Sequence, residues 1–586
     1  MGQTENQTFI LAKVWIIIIV ITIIISIFAF ASFAYALWRQ NYNKKEWNID
    51  KFPSISFPLR LLSSIGCGCT PTLACYFFFG IIGRTLIQPA LKKSLQAMEK
   101  ADSSGHIPKI LCDERARNDM KKRIEDFKND LFQSKSIAPA SKVILFAGAS
   151  SCLTHHRYLL SMADKVTEKE KVIEPVFIVS LPRTGTTILH RVLSLDRNRF
   201  RNFDLCDMIQ PAPRPIPRDD RKGRERLAEK AGKTLNVMDT VFPGYKEALE
   251  TMHDFRSGEA DEDLGWYDAV LGHFYMDVLM LCYPEQRAKP GKISPLESKE
   301  CAKYRYAWLH MIMRIYQKAD NDYIAELEKE TNIKRDETMK YSRDNEDDME
   351  LERLAINVHK PWLMKDPNHS AFLPELLAEF PDAKLIFSHR PPQDILPSLA
   401  KLFVLFTCVH FEPGAPGVTC REWGEESMRR MRTYVDGIVS FTREMEGTNY
   451  GFQGCSPQTS HSRIDLNFNE FRTDVIGAIE KIYRQFYPDN PKPSEEALKA
   501  FNDYLLENER EAKGNQKRSL EEFHLTKEDV LTVFREYNDF FLHGHENEDT
   551  MKHNLSVDFG VDDNVSKTSI TKNTGMKTMV PNHLSV

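Results

Sequence analysis

Hydrophobic positions are spread very unevenly along the chain. From Val14 to Trp38, between Lys13 and Arg39, no residue carries a charge, and the run includes Trp15, Ile16, Ile17, Ile18 and Ile19. At ~1.5 Å per residue, a helix over 14–38 spans about 37 Å against a hydrocarbon thickness of ~30 Å. The pattern therefore predicts a retained, somewhat tilted transmembrane helix behind a short flank, residues 1–13, because a cleaved signal has a shorter apolar region. Phe30, Phe33, Tyr35 and Trp38 suit its far interface. A second charge-free stretch, 61–83, contains Ser63, Ser64, Gly66, Gly68, Thr70 and Pro71. It reads equally as a second span or as an interfacial hairpin, with Cys67, Cys69 and Cys75 as palmitoylation candidates.

The loop between these segments, 39–60, holds Arg39, Lys44, Lys45, Lys51 and Arg60, whereas only Lys13 precedes the first span. The positive-inside rule places that loop in the cytosol. Two spans would put the rest of the chain in the lumen of the Golgi or another secretory-pathway membrane, and one span would leave it cytosolic. Sequons at Asn6, Asn368, Asn554 and Asn564 permit glycosylation of a lumenal glycoprotein.

Residues 84–170 mix apolar and charged positions at helical spacing, as in Met98, Met120, Ile124 and Phe127, and read as a helical prelude. Val176, Phe177, Ile178 and Val179 then form a continuous apolar run of the kind buried on both faces of a parallel sheet. A loop follows, and Ile188, Leu189, Val192, Leu193 and Leu195 take the spacing of one helix face. A second strand is predicted over Lys384–His389, with Leu396, Leu399 and Leu402 as the apolar face of the next helix, and a third over Ser462–Leu466. This alternation predicts an α/β domain, a P-loop-type parallel sheet flanked by helices. A stretch crowded with charge, about 319–357, reads as a solvated helix or insertion, and the Asn-, Asp- and Ser-rich residues 546–586 as a disordered tail.

Composition removes whole classes of function. The 78 Lys and Arg face 83 Asp and Glu, a net charge of −5, which excludes a polycation built for nucleic acid. Eleven scattered cysteines give no zinc spacing, and no metal-ligand cluster stands out.

The chemistry concentrates in the loop Ser180-Leu181-Pro182-Arg183-Thr184-Gly185-Thr186-Thr187. A strand that ends in such a loop at a helix N-terminus traps anions, because unpaired N–H groups and the helix dipole converge there. An ATP-binding Walker motif would have Gly at 180 and Lys at 186. Ser180 and Thr186 stand there instead, and the cation is Arg183, so a P-loop kinase is disfavoured.

Pro182–Thr187 resembles the 5′-phosphosulfate loop of sulfotransferases that use 3′-phosphoadenosine 5′-phosphosulfate (PAPS). Arg390-Pro391-Pro392-Gln393-Asp394, with Ser398 on the next helix, resembles the family's 3′-phosphate motif. Trp362-Leu363-Met364-Lys365-Asp366-Pro367-Asn368-His369 resembles the Trp-x-x-Lys-x-Pro-x-His block of its carbohydrate- and bacterial-type branch. Gly514–Phe523, with Lys517 and Arg518, resembles the basic segment near that branch's C-terminus. The resemblance spans residues 171–545.

It implies PAPS as donor, a hydroxyl acceptor on a glycan, lipid or small metabolite, and no required metal. It assigns Arg183, Thr184, Gly185, Thr186, Thr187, Arg390, Ser398, Lys517 and Arg518 to the nucleotide, with Arg183 and Lys365 stabilising charge in transfer. Two residues compete as general base, His369 and Asp207. His253 with Glu259, Asp261, Glu262 and Asp263 resembles an acceptor-side segment of the family. A glycan on Asn368 would obstruct a site containing His369. The chain's departures from the family pattern keep one further alternative open, a non-catalytic nucleotide-binding membrane scaffold.

Overall fold

The computed structural model describes residues 71–134, 137, 139–209, 215–241, 250, 252–253, 255–270, 298–338, 360–408, 419–447, 462–508 and 519–542. The predicted anchor 14–38, the basic loop, the sequons at Asn6, Asn554 and Asn564, Lys517, Arg518 and the tail lie outside them. Among the described residues no helix is long and apolar enough to cross a membrane.

Of the second apolar stretch, residues 61–70 lie outside the described residues. Its residues 71–83 open a 34-residue helix, α1 (Pro71–Ser104), which runs through Arg84 and buries Ile87, Leu91, Met98 and Ala101. Helices α2 (Glu114–Gln133) and α3 (Pro139–Ala163) complete the prelude. Ser94 of α1 and His156 of α3 share a buried 2.8 Å hydrogen bond, and Phe127 meets Phe146 edge-on at 5.8 Å.

Four parallel strands follow: β1 (Val176–Ile178), β2 (Leu363–Lys365), β3 (Lys384–His389) and β4 (Arg463–Asn467), in the order β2-β1-β3-β4. The residue alternation of β1 divides the core. Val176 and Ile178 pack with Ile386, Leu466 and helices α4 (Thr186–Ser194) and α9 (Val475–Phe486). Phe177 and Val179 face Leu385, Phe387, the prelude and α6 (Lys299–Thr338). Between α4 and α6 lies α5 (Arg221–Val241), and α7 (Pro392–Cys408) and α8 (Cys420–Gly447) separate β3 from β4.

Two sequence expectations need correction here. Strand β2 is absent from the predicted elements, because Leu-Met-Lys is short and lacks β-branched residues; pairing with β1 makes it a strand. The start of the charged stretch is the continuation of α6, and Asp320, expected in solvent, is only 13% exposed and is held by Arg201 and the Arg218 backbone N–H. Residues 339–357 lie outside the described residues.

From β1 the chain reaches β2 on one side and β3 on the other. The strand order thus reverses beside β1, and such a switch point opens a crevice at the C-terminal strand ends.

Candidate active site

The anion loop sits at that crevice, between β1 and α4. Arg183 and Gly185 both adopt left-handed backbone, at φ 64° and 79°. Gly185 is required: a Cβ there would meet Phe471 Cε1 at 2.8 Å, and Phe468 closes the same space at 3.2 Å. Arg183 carries a conformational penalty of about 1 kcal/mol or more for its φ. The loop is pinned by Thr184 Oγ1 donating to the Leu181 carbonyl (2.7 Å), Ser388 Oγ to the Thr184 carbonyl (3.0 Å) and the Ser388 N–H to Ser180 Oγ (2.6 Å). Thr184 thus turns its hydroxyl inward. The first N–H groups of α4, at Thr186 and Thr187, have no acceptor within the helix and mark its anion-binding end.

Across the β1–β3 crevice, Arg390 follows β3 and Ser398 lies on α7. Arg390 donates from Nη1 to the Arg183 carbonyl at 2.9 Å and lies over the Phe468 ring at 4.6 Å. Arg183 donates from Nε to Ser398 Oγ at 2.9 Å. The loop motif assigns Arg183 to the phosphosulfate; its Nε lies at Ser398, a residue assigned to the 3′-phosphate. Burial lowers the Arg390 pKa from the usual guanidinium range.

The other cation beside the loop is Lys365, at the end of β2 and wholly buried. Its Nζ donates to Thr187 Oγ1 (3.2 Å) and to Glu262 Oε1 (2.7 Å). Glu262 is 28% exposed, whereas its neighbour Asp263 is sunk to 1%.

The two base candidates are both committed elsewhere. His369 is fully buried, with Nε2 3.1 Å from Asp263 Oδ2 and Nδ1 3.1 Å from the Tyr306 hydroxyl. Asp207 takes Arg224 Nη1 on Oδ1 (2.6 Å) and Nη2 on Oδ2 (2.9 Å), caps the Asp204 N–H (2.9 Å) and receives the Tyr316 hydroxyl (3.3 Å). Burial nonetheless raises its pKa. Asp204, Cys206 and Asp207 bring three ligand-type atoms within 4.8 Å of one another, but Arg224 donates to all three. Asn368 is buried, with its amide between Tyr434 and Asp366, so its sequon is closed to a glycan. His253 pairs with Asp261 at 3.3 Å, and Arg191 holds Glu259 at 3.2 Å.

Burial alone would lower the His369 pKa, but the charge and hydrogen bond of Asp263, aided by Asp366, raise it. Burial, then repulsion from Asp263, raises that of Asp366. The His369–Asp263 pair therefore contributes fully below the unfolded imidazole value of about 6.5 and fades as pH rises through the higher folded value. At high pH the ionised Asp366 also repels Asp263, which acts in the same direction. Asp263→Asn is expected to cost about 3 kcal/mol at pH 6 and clearly less at pH 9, read as unfolding midpoints in denaturant.

A sequence model of the sulfotransferase family matches residues 175–487. Among solved structures, sulfotransferase STF1 from Mycobacterium tuberculosis H37Rv is 18% identical with a TM-score of 0.47, over 75% of this chain and 97% of that one. Sulfotransferase STF9 from Mycobacterium avium is 18% identical with a TM-score of 0.49, over 76% and 96%. A comparison with curated proteins gives no match.

Proposed function

The chain belongs to the sulfotransferase family, and from that footing we propose that it moves a sulfuryl group from PAPS to a hydroxyl of a glycan, lipid or small metabolite. One arrangement carries the reading: Arg183, Arg390 and Ser398 meet on one side of the anion loop, while Lys365 touches Thr187 on the other. A nucleotide charged at both its 3′ and 5′ ends needs two such stations on one sheet.

The residues fit such a donor: Gly185 lets the loop turn against Phe471 and Phe468, and the first N–H groups of α4 stay open to an anion. Arg390 and Ser398, with Arg183, would hold the 3′-phosphate through charge-assisted hydrogen bonds. Thr187 and the N–H groups that open α4 would hold the 5′ end. PAPS supplies an activated sulfuryl group and a phosphate leaving group. Lys365 holds positive charge at Thr187, where negative charge grows as the bond to the leaving oxygen breaks.

The acceptor hydroxyl must lose a proton. Glu262 is the carboxylate beside Lys365 that reaches solvent, and we assign it the role of base in place of His369 and Asp207. Glu262→Gln is expected to lower turnover by about 10² with nucleotide affinity retained. Initial rates beside calorimetric binding check this, and an unchanged rate returns the role to another group.

Purified protein incubated with sulfur-labelled PAPS and pools of glycans, lipids and small hydroxyl metabolites tests the whole reading by mass spectrometry. Labelled product with release of adenosine 3′,5′-bisphosphate supports it. Nucleotide binding without transfer to any pool favours the scaffold alternative, and transfer from magnesium ATP favours a kinase. We further propose that Val14–Trp38, together with a second crossing over 61–83, anchors the enzyme in a secretory-pathway membrane and places the catalytic domain in the lumen. Protection of that domain from protease in sealed vesicles is expected, and cleavage there overturns the lumenal placement.

A further inference from the structure

The segment after residue 487, beyond the family match, returns to the donor site. Two short helices, Lys527–Val533 and Arg535–Phe541, close the described chain. Tyr537, on the second, is fully buried, and its hydroxyl is 2.9 Å from Nδ1 of His389, the residue before Arg390. His389 is bonded directly to Arg390 in the chain, so whatever orients its ring acts at the start of that residue. His389 Nε2 is 2.8 Å from Asp465 Oδ1 on β4, and its ring stacks on Phe541 at 4.2 Å and 3°. Asp465 is gripped in turn by Arg463, through Nε to Oδ2 and Nη2 to Oδ1, both at 2.8 Å.

The chemistry of these groups gives the chain one direction. Asp465 is an acceptor, so Nε2 of His389 carries the proton facing it. Burial outweighs Asp465 and lowers the His389 pKa, which favours the neutral ring with Nδ1 as its acceptor. Tyr537 must then donate to Nδ1. The run is Tyr537 O–H to His389, then His389 N–H to Asp465. Each member fixes its neighbour's orientation.

We infer that Tyr537, His389 and Asp465 form a positioning relay that fixes the backbone at Arg390 and so aims its guanidinium at the donor's 3′-phosphate. The relay makes the C-terminal helices part of the nucleotide site without touching the nucleotide. The inference rests on the donor site proposed above. Arg390 is the receiving end because its own side chain is tied only to the Arg183 carbonyl and the Phe468 ring among the contacts described. Neither of those two contacts orients His389, the residue that carries the chain into Arg390; Tyr537 and Asp465 hold its ring from both nitrogens.

The test is the ratio of affinities for adenosine 3′,5′-bisphosphate and adenosine 5′-phosphate, measured by calorimetry on the full chain. Tyr537→Phe keeps the ring and removes the hydroxyl. It is expected to lower the ratio about tenfold, and to lower it no further in an Arg390→Ala background, since the relay acts through Arg390. A folded Tyr537→Phe protein with an unchanged ratio overturns the inference, as does an equal loss in both backgrounds. If Tyr537→Phe does not fold, His389→Phe preserves the stack on Phe541 while removing both nitrogens, and the same outcomes apply. A wild-type ratio near one defeats the donor-site reading itself, and the relay with it.

Discussion

Replacing Lys365 with methionine is expected to lower kcat about a thousandfold while the affinity for adenosine 3′,5′-bisphosphate changes by less than about threefold. The ammonium bridges Thr187 Oγ1 and Glu262 Oε1, so it stands between the loop that would hold the leaving group and the carboxylate that would take the acceptor proton. Charge grows at the first of these positions only as the sulfuryl group leaves, so the cation acts on the transition state more than on the bound donor. Methionine preserves the buried stem and removes the charge. Glu262, 28% exposed, can turn to water when its partner is lost, which keeps the fold intact. His190, buried nearby, has a pKa pushed down to about 3 by burial and then by Lys365, and so offers no substitute cation. Single-turnover rates and calorimetric titration separate the two parameters. Equal losses in both would make Lys365 a donor-holding group and not a transition-state one.

Sequence pattern reaches as far as local pattern decides structure. The apolar runs at Val176–Val179 and Lys384–His389 are strands because both faces are covered, and a covered strand needs no alternation. Strand β2 is held by its neighbour, and nothing within Leu-Met-Lys announces that. Arg183 is legible from its loop between a strand and a helix, where a parallel sheet exposes chemistry, and Lys365, Arg390 and Ser398 from their resemblance to sulfotransferase motifs. What stays hidden is partnership. Asp207 looks like a base until Arg224, 17 residues on, takes both its oxygens. His369 looks like one until Asp263 and Tyr306, each far away in sequence, occupy its two nitrogens. The Asp261-Glu262-Asp263 run is visible, but only folding separates its roles: Asp261 pairs with His253, Asp263 with His369, and Glu262 reaches Lys365 across 103 residues.

Arg390→Ala is expected to weaken binding of adenosine 3′,5′-bisphosphate several hundredfold, with adenosine 5′-phosphate losing less than about threefold. Removing one partner of a partly buried, hydrogen-bonded charge pair leaves the phosphate dianion without its main neutralising group. Arg183, at Ser398, would remain as the second cation and keep residual affinity. Arg390→Lys is expected to recover only part of the loss, because an ammonium keeps the charge but not the planar fork that lies over Phe468 and reaches the Arg183 carbonyl. The second nucleotide is what gives the comparison its meaning. Arg390 also supports the anion loop through that carbonyl, and a loop that slackens would weaken both nucleotides alike. A loss confined to the 3′-phosphorylated ligand locates the guanidinium's work at the phosphate, whereas equal losses locate it in the loop and remove the 3′ station from the site.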